Sequence, residues 1–517
     1  MHPAWRGLAL TVIAVLSALA TWTATPPGSA WGAGAPEDEI RTGYSRDFQS
    51  VDPAHIPGSP DYQAAMNIYS GLVRYKKDST EVEPDLAERW TVSADGKTYT
   101  FYLRRNVIWH AGYGRFTAHD VKYTLERIKD PATRSRYARP LEILDRIDVV
   151  NDYTVRLVLK QPYSALLGAV LAFRPGFIVK KEAVEKLGKD FPLNPTGTGP
   201  FQFVSYRPRQ EMIWVANERY YFGAPQIKRV RWRIIPDEMA TALALQRDEI
   251  NYMIVRKPEV YRLLKGVPSV RMTATPSAGW ETIFINTRRK PFDDVRVRRA
   301  VAHAINKDQL AFSVAQGMAT VGTGSVIPPG VFGHTGDIPR YEHSVERARR
   351  LLQEAGYGRG LTATLIFRQE GASPDVATAM QAMLAEIGIT LKLELLESGA
   401  YFARRNTGNY DMLINNISRA EPDQFLTEIF HSANIPPGNN EAFYGGADSL
   451  IDAQRVEVTP ERRRQLIVEA QRKIAQDVPA IVLWNDFNVV AYQRYVRGQV
   501  ANISHWMTRF EFMHFAR

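Results

Sequence analysis

Cysteine is absent from all 517 residues. That excludes a disulfide framework, a thiol nucleophile, thiolate-held zinc or iron–sulfur clusters, and a lipid attached through cysteine. Past the first twenty residues, no apolar run approaches the roughly 18 residues that signal a membrane-spanning helix. No GxSxG elbow and no HExxH pair occur, so two common hydrolase signatures are missing. Internal repeats and low-complexity stretches are missing too. Neither sign of charge dominates: 65 Lys+Arg against 55 Asp+Glu leave +10, spread along the whole chain rather than gathered in a tail. Aromatic residues make up 11% of the chain and are dispersed. The interleaved basic–aromatic pattern of a nucleic-acid platform is therefore not present, and no nucleic-acid partner is expected.

What is present is ordinary soluble protein. Apolar content of 45% and charged content of 23% fit globular domains, and this length implies two or more of them. The N-terminus carries Arg6 and then the apolar run Leu8–Ala20, LALTVIAVLSALA, followed by small residues. Too short to span a bilayer, the run suits a signal peptide over residues 1–30, with cleavage expected between about 20 and 35. A retained membrane anchor is the alternative. An exported chain without a lipobox cysteine is expected to be a free periplasmic protein.

Strand and helix patterns alternate along the rest. Tyr99, Phe101 and Leu103 alternate with polar residues, as do Tyr153, Val155, Leu157 and Leu159, and Ile389, Leu391, Leu393 and Leu395. Thr117 with Asp120 reads as a capping box opening a helix that turns Val121, Leu125 and Ile128 inward. Ser373–Pro374 opens another, carrying Val376, Met380, Met383, Leu384 and Ile387 to a stop at Gly388. Thr459–Pro460 opens a third, with Leu466, Ile467, Ala470 and Ile474 inward. The alternation predicts α/β layers, and the lack of a linker suggests domains joined by strands that cross between them.

The remaining motifs point away from catalysis. GTGPF at 197–201 lacks the spacing and lysine of a phosphate-binding loop and reads as a turn entering a strand. His110 and His119, and His334 and His343, are each nine residues apart, which is not chelating helical spacing, so no metal site is expected. Asp293–Asp294 precede a helix and suit capping. Arg347, Arg349 and Arg350 read as a solvated helix face.

Six ordered blocks carry a family resemblance. They are LVRYKKDSTEVEPDLAERWTVSADGKTYTFYLRRNVIWHAG (72–112), FTAHDVKYTLERI (116–128), the GTGPF turn, FINTRRKPFDDVRVRRAVAHAINKD (284–308), the helix–strand unit around AMQAMLAEIGI, and PAIVLW (479–484). In this order they resemble the family 5 extracellular solute-binding proteins, the dipeptide/oligopeptide/nickel type that serves ABC importers. The resemblance implies a two-lobed periplasmic-binding-protein fold of type II in its large three-subdomain form, with a ligand cleft between the lobes. Lobe I would comprise 36–276 plus 482–517, with an inserted subdomain at about 56–190, and lobe II 277–481. Crossings would fall near Gly279–Ile285 and Ala480–Trp484.

The resemblance also implies where a ligand would be held. In the dipeptide-binding members an aspartate three residues before an acidic–Pro pair holds the ligand's amine. Here the stretch reads Asn415-Asn416-Ile417-Ser418-Arg419-Ala420-Glu421-Pro422-Asp423, so Ser418 stands in the aspartate's place. A serine does not neutralise an ammonium, and an unpaired buried charge costs several kcal/mol (order of magnitude). Arg368 takes the place of the carboxylate-holding arginine if one residue is deleted. Arg368 and Arg419 are expected to favour an anionic or neutral polar solute if they face the cleft; a surface-loop place for Arg419, and a salt bridge with Glu370 or a neighbouring lobe for Arg368, are the alternatives. Trp280 is a candidate for stacking on ligand, against a place in the core. Asn415 and Asn416 offer amide hydrogen bonds to ligand, or to their own loop.

The expectation is thus a non-enzymatic receptor without cofactor, a monomer that delivers a small peptide-like or anionic solute to an ABC permease pair. A periplasmic sensor or chaperone using the same cleft is the second reading, and a secreted hydrolase the third.

Overall fold

The computed structural model describes residues 38–369, 373–498, 502–504 and 507–516. The leader expected at residues 1–30 lies outside the described residues. Among these, eleven strands form one sheet. Its order is Ile389–Leu396, Leu361–Arg368, Met412–Ser418, Val270–Ile285, Ala480–Gln493, Tyr252–Val255, Glu39–Tyr44, Arg229–Ile234, Glu211–Ala216 and Phe201–Arg207, with Ala319–Val321 paired to Ala480–Gln493. Leu361–Arg368 runs parallel to both its neighbours, as does Glu39–Tyr44. The two long central strands are antiparallel to each other.

Those long strands pair in two stretches. Val270–Pro276 faces Phe487–Gln493, and pairing resumes at Trp280 opposite Asn485. Ser277, Ala278 and Gly279 therefore lie against Asp486 alone. A bulge of this kind leaves backbone groups to be satisfied elsewhere. Here the Ala278 N–H donates to Ile503 O at 2.6 Å, and Ala278 O accepts from the Arg419 N–H at 3.1 Å.

Period-two alternation gives each face of the central strands its own core. Trp280 and Phe284 pack with Leu413, Ile417 and Phe425 on one side. Ile283 and Ile285 pack with Val301, Leu365, Met380 and Met412 on the other.

A separate four-stranded antiparallel sheet is built from Ala87–Val92, Thr98–Leu103, Thr154–Leu159 and Leu144–Asn151. Tyr99, Phe101 and Leu103 are buried as their alternation predicts, and so are Val155, Leu157 and Leu159. The helix Ala118–Lys129 buries Val121, Leu125 and Ile128. Its Asp120 accepts from the Thr117 N–H at 2.9 Å and the Trp109 indole at 3.1 Å. The other expected helices form at Ser373–Ala385 and Pro460–Asp477 with their predicted apolar residues inward, except that Ile387 is buried beyond the end of the first, which stops short of Gly388. Asp294 caps Val295–Ala304 by accepting from the Arg296 N–H at 2.8 Å. One expectation fails: Ile389 and Leu391 are buried, but Leu395 is 52% exposed. Its strand is the sheet edge, where one side has no neighbouring strand.

The glycine turn at 197–201 is a close approach of backbones. Gly199 N–H donates to Ile68 O at 2.8 Å, His110 N–H donates to Gly197 O at 2.9 Å, and the His110 ring lies 3.0 Å from Gly199 O. A Cβ on Gly197 would come within 2.0 Å of Ile68 O. Gly197→Ala is accordingly expected to lower the unfolding free energy by about 2 kcal/mol or more. Thermal melts of the purified variant check this; an unchanged midpoint would show that the Ile68 segment yields freely.

Candidate functional site

Strand pairing brings the sequence-predicted residues to one region. Met412–Ser418 lies beside Val270–Ile285 so that Ser418 is opposite Gly279, Ile417 opposite Trp280, Asn416 opposite Glu281, and Asn415 opposite Thr282. Arg368 ends the next strand over.

Trp280 belongs to the core. It has no exposed surface, its indole N–H donates to Val326 O at 3.2 Å, and its ring lies 6.0 Å from both Phe284 and Phe425. No face is left for a ligand to stack on.

Asn415 and Asn416 point to opposite sides of their strand and hold carboxylates there. The Asn415 amide donates to both oxygens of Glu441, at 3.1 and 3.0 Å. Arg405 pairs with the same carboxylate at 3.3 Å. Asn416 is exposed, and its amide bridges Glu281 at 3.2 Å and Asp486 at 2.8 Å. The Trp484 indole donates to the other Asp486 oxygen at 2.9 Å. The Arg368 guanidinium lies 5.1 Å from the Tyr401 ring and 5.4 Å from Phe402, and its charge acts on both Glu281 and Glu441.

These carboxyls are not ordinary. Burial and then the neighbouring Asp486 push Glu281 up to about 8, against the weaker pull of the Asn416 amide and Arg368. Burial also raises Asp486 and Glu441, with Asn415 and two arginines drawing Glu441 back.

Ser418 and Arg419 stand at the end of the strand and line a cavity of about 640 Å³. One wall is made by residues 136–143 and 163–175, the other by 418–439 with Arg455. The Ser418 hydroxyl is buried and, among the described residues, has no hydrogen-bond partner. Arg419 pairs with Glu428 at 2.8 Å and donates to Ser418 O at 2.9 Å. The acidic–Pro pair that follows ties the walls together. Glu421 pairs with Arg463 at 2.5 Å. Asp423 accepts from the Tyr163 hydroxyl at 3.0 Å and from Gln454 at 2.6 Å. Beside them, the Ser164 N–H donates to Arg455 O at 2.8 Å.

The arrangement can enclose a polar solute between two segments distant in sequence. Among the described residues, no three of His, Asp and Glu converge as metal ligands would. Residues 81–437 match the family model described as bacterial extracellular solute-binding proteins, family 5, middle region. The chain belongs to this family. It is 32% identical over 481 residues to the di/tripeptide-binding protein 2 of Pseudomonas aeruginosa, covering 87% of this chain and 90% of that one. Against the dipeptide-binding protein of Escherichia coli it is 30% identical over 485 residues, covering 88% and 90%. The solved structure of MoaA from A. tumefaciens R10 in complex with mannopinic acid superposes with a TM-score of 0.78 at 30% identity, over 93% of this chain and 100% of that one. The fold is the two-lobed α/β fold of family 5 binding proteins.

In this family 5 solute-binding protein, sequence reading missed Glu281, Asp486 and Glu441. A signal existed for the first: Glu281 interrupts the apolar run WETIFI, and a lone acid inside a strand bound for the core must meet a partner. Asp486 in LWNDF is similar. Glu441 carried none, because its partners come from strands and helices distant in sequence.

Glu281 gives a pH signature. Its folded value of about 8 exceeds the unfolded 4.5, so the native state binds more protons between these limits. Stability then falls as pH rises through that window, by at most about 1.4 kcal/mol per unit from this group. Glu281→Gln is expected to flatten the decline in unfolding midpoint between pH 5 and pH 8 and to leave the variant the more stable at the alkaline end. Parallel profiles for the two proteins would show that Glu281 is ionised in the native state.

Proposed function

We propose that this protein is a periplasmic receptor that captures a peptide-like or other polar or anionic solute by lobe closure and delivers it to an ABC permease pair in the inner membrane. It acts as a monomer and makes no covalent change to its ligand. Lobe I comprises 36–276 plus 482–517 with the subdomain near 56–190 inserted, and lobe II comprises 277–481. The observation that carries the reading is the cavity of about 640 Å³ whose walls, 136–175 and 418–439, come from these two parts. A solute touching both walls stabilises the closed arrangement by its differential affinity for it, which is all that a closing receptor requires.

The relatives named for dipeptides and di/tripeptides support a peptide-like solute, and MoaA with mannopinic acid supports an acidic one. At the amine-holding position Ser418 presents a hydroxyl, not a carboxylate. A free amine is therefore not read there, which favours an anionic or neutral solute; Arg419 reaches the cavity already paired with Glu428, and Arg368 is not among the residues that line it.

Thermal unfolding with matched ligands tests this: tri- and tetrapeptides, their N-acetylated forms, acidic opines and neutral sugars. A ligand at about 100 times its Kd adds about 2.7 kcal/mol, readily seen as a raised midpoint. Acetylated peptides or acidic opines are expected to shift the midpoint at least as far as free peptides. A shift confined to free peptides would mean that another acid holds the amine.

A further inference from the structure

The cavity between 136–175 and 418–439 is unevenly charged. Five arginines line it, against three carboxylates. Two of those carboxylates are engaged: Glu428 by Arg419 at 2.8 Å, and Asp423 by Arg455 at 3.3 Å together with Tyr163 and Gln454. The third, Glu142, is exposed. Among the described residues, Arg136, Arg139 and Arg174 have no carboxylate within ion-pair distance.

Arg174 is held in place all the same. Its guanidinium lies 5.0 Å from the Phe173 ring and 5.5 Å from Tyr62, and it donates to the Tyr137 hydroxyl at 3.3 Å. Its Nε is buried and has no acceptor. An arginine fixed by stacking loses little freedom when it takes an oxyanion on its planar edge. On the opposite wall the Ser418 hydroxyl is also buried and, among the described residues, unpartnered. Buried donors left unmade are costly, so both favour an acceptor arriving from outside. About 640 Å³ is within the usual size of small-molecule sites.

We propose that this cavity is a subsite for a carboxylate of the transported solute, distant from Arg368, with Arg174 as its fixed contact and Arg136 and Arg139 as its basic rim. The inference rests on the receptor reading above. It adds that the solute is acidic and extends toward residues 136–175. Exposed rim arginines raise the local concentration of anions and are screened by salt, whereas a stacked, half-buried one is screened much less.

The test is a glutamate/glutamine scan through N-acetylated tetra-alanine peptides, with Kd measured by calorimetry on the wild type, on Arg136→Gln/Arg139→Gln, and on the triple variant that adds Arg174→Gln. At one scanned position the glutamate peptide is expected to bind at least about 10-fold tighter than its glutamine twin, a carboxylate–arginine contact being worth a tenfold step or more. That ratio is expected to drop about 3-fold in the rim variant and to near one in the triple variant. Should the triple variant not fold, the rim variant and high salt decide the matter: each is expected to remove the rim's share of the preference and to leave the Arg174 share, and a preference that neither changes overturns the subsite. If peptides bind with no glutamate preference, or with one the variants leave intact, the subsite is overturned while the receptor reading stands. If no peptide of either kind binds, the subsite falls with the peptide reading, and the receptor reading is decided by the opines and sugars.

Discussion

The bulge in the central strand pair is the constraint on which the rest depends. Two strands of sixteen and fourteen residues run through the sheet, and three residues of one face a single residue of the other. Extra residues on one strand bend it and increase its twist. Here the bend does two further things. It frees Ala278 to pair with Ile503 and with Arg419, fixing the backbone of a cavity-lining residue to the centre of the sheet. It also leaves Asp486 opposite the irregularity, from which its carboxylate reaches the Asn416 amide. Gly279 completes the geometry, since a Cβ there would come within 3.2 Å of Ile417 O. The site and the central strand pair are thus one construction.

That construction buries acid. Arg368 acts on Glu281 and Glu441, and Arg405 on Glu441, while Asp486 is met by the Asn416 amide and the Trp484 indole. A surplus buried carboxylate costs several kcal/mol (order of magnitude), and the simplest relief is to keep a proton. Glu281, pushed up to about 8, does so near neutral pH. A carboxyl that is neutral there can stay in a strand that also carries Trp280 and Phe284 into a core. Ser418, two residues beyond Asn416 on the same strand face, adds no fourth acid to this balance. A carboxylate at 418 would sit beside groups that already resist ionisation.

Much of the fold is legible from local pattern, because local pattern is what the chain uses. Alternation at Tyr99–Leu103 and Val155–Leu159, the Thr117–Asp120 cap and the 3.6-residue period of Leu466, Ile467, Ala470 and Ile474 depend on neighbours within a few residues. Leu395 shows the limit, since it is exposed although Ile389 and Leu391, on the same strand and face, are buried. The site is less legible for the same reason. Trp280 leans toward the core but leaves a stacking role open until Phe425, 145 positions later, closes over it. The Asn415–Asn416 dipeptide looks like loop chemistry, yet both side chains lock onto acids from other segments. Pairings across such sequence distances leave no periodic trace.

Closure itself has to be specific in geometry as well as favourable. Apolar contact alone holds two walls together in many near-equivalent registers, because it is non-directional. The buried polar network at the acidic–Pro pair removes that freedom. Asp423 takes donors from Tyr163 on one wall and from Thr427 and Gln454 on the other, at 3.0, 2.6 and 2.6 Å. Glu421 is held by Arg463 while its side chain packs against Gly168. A small slip of one wall over the other would leave several buried groups without partners at once. The network thus acts as a register pin, adding little net stability and setting where the walls meet. Wall spacing then fixes the cavity between them, and with it the length of solute that can touch both sides.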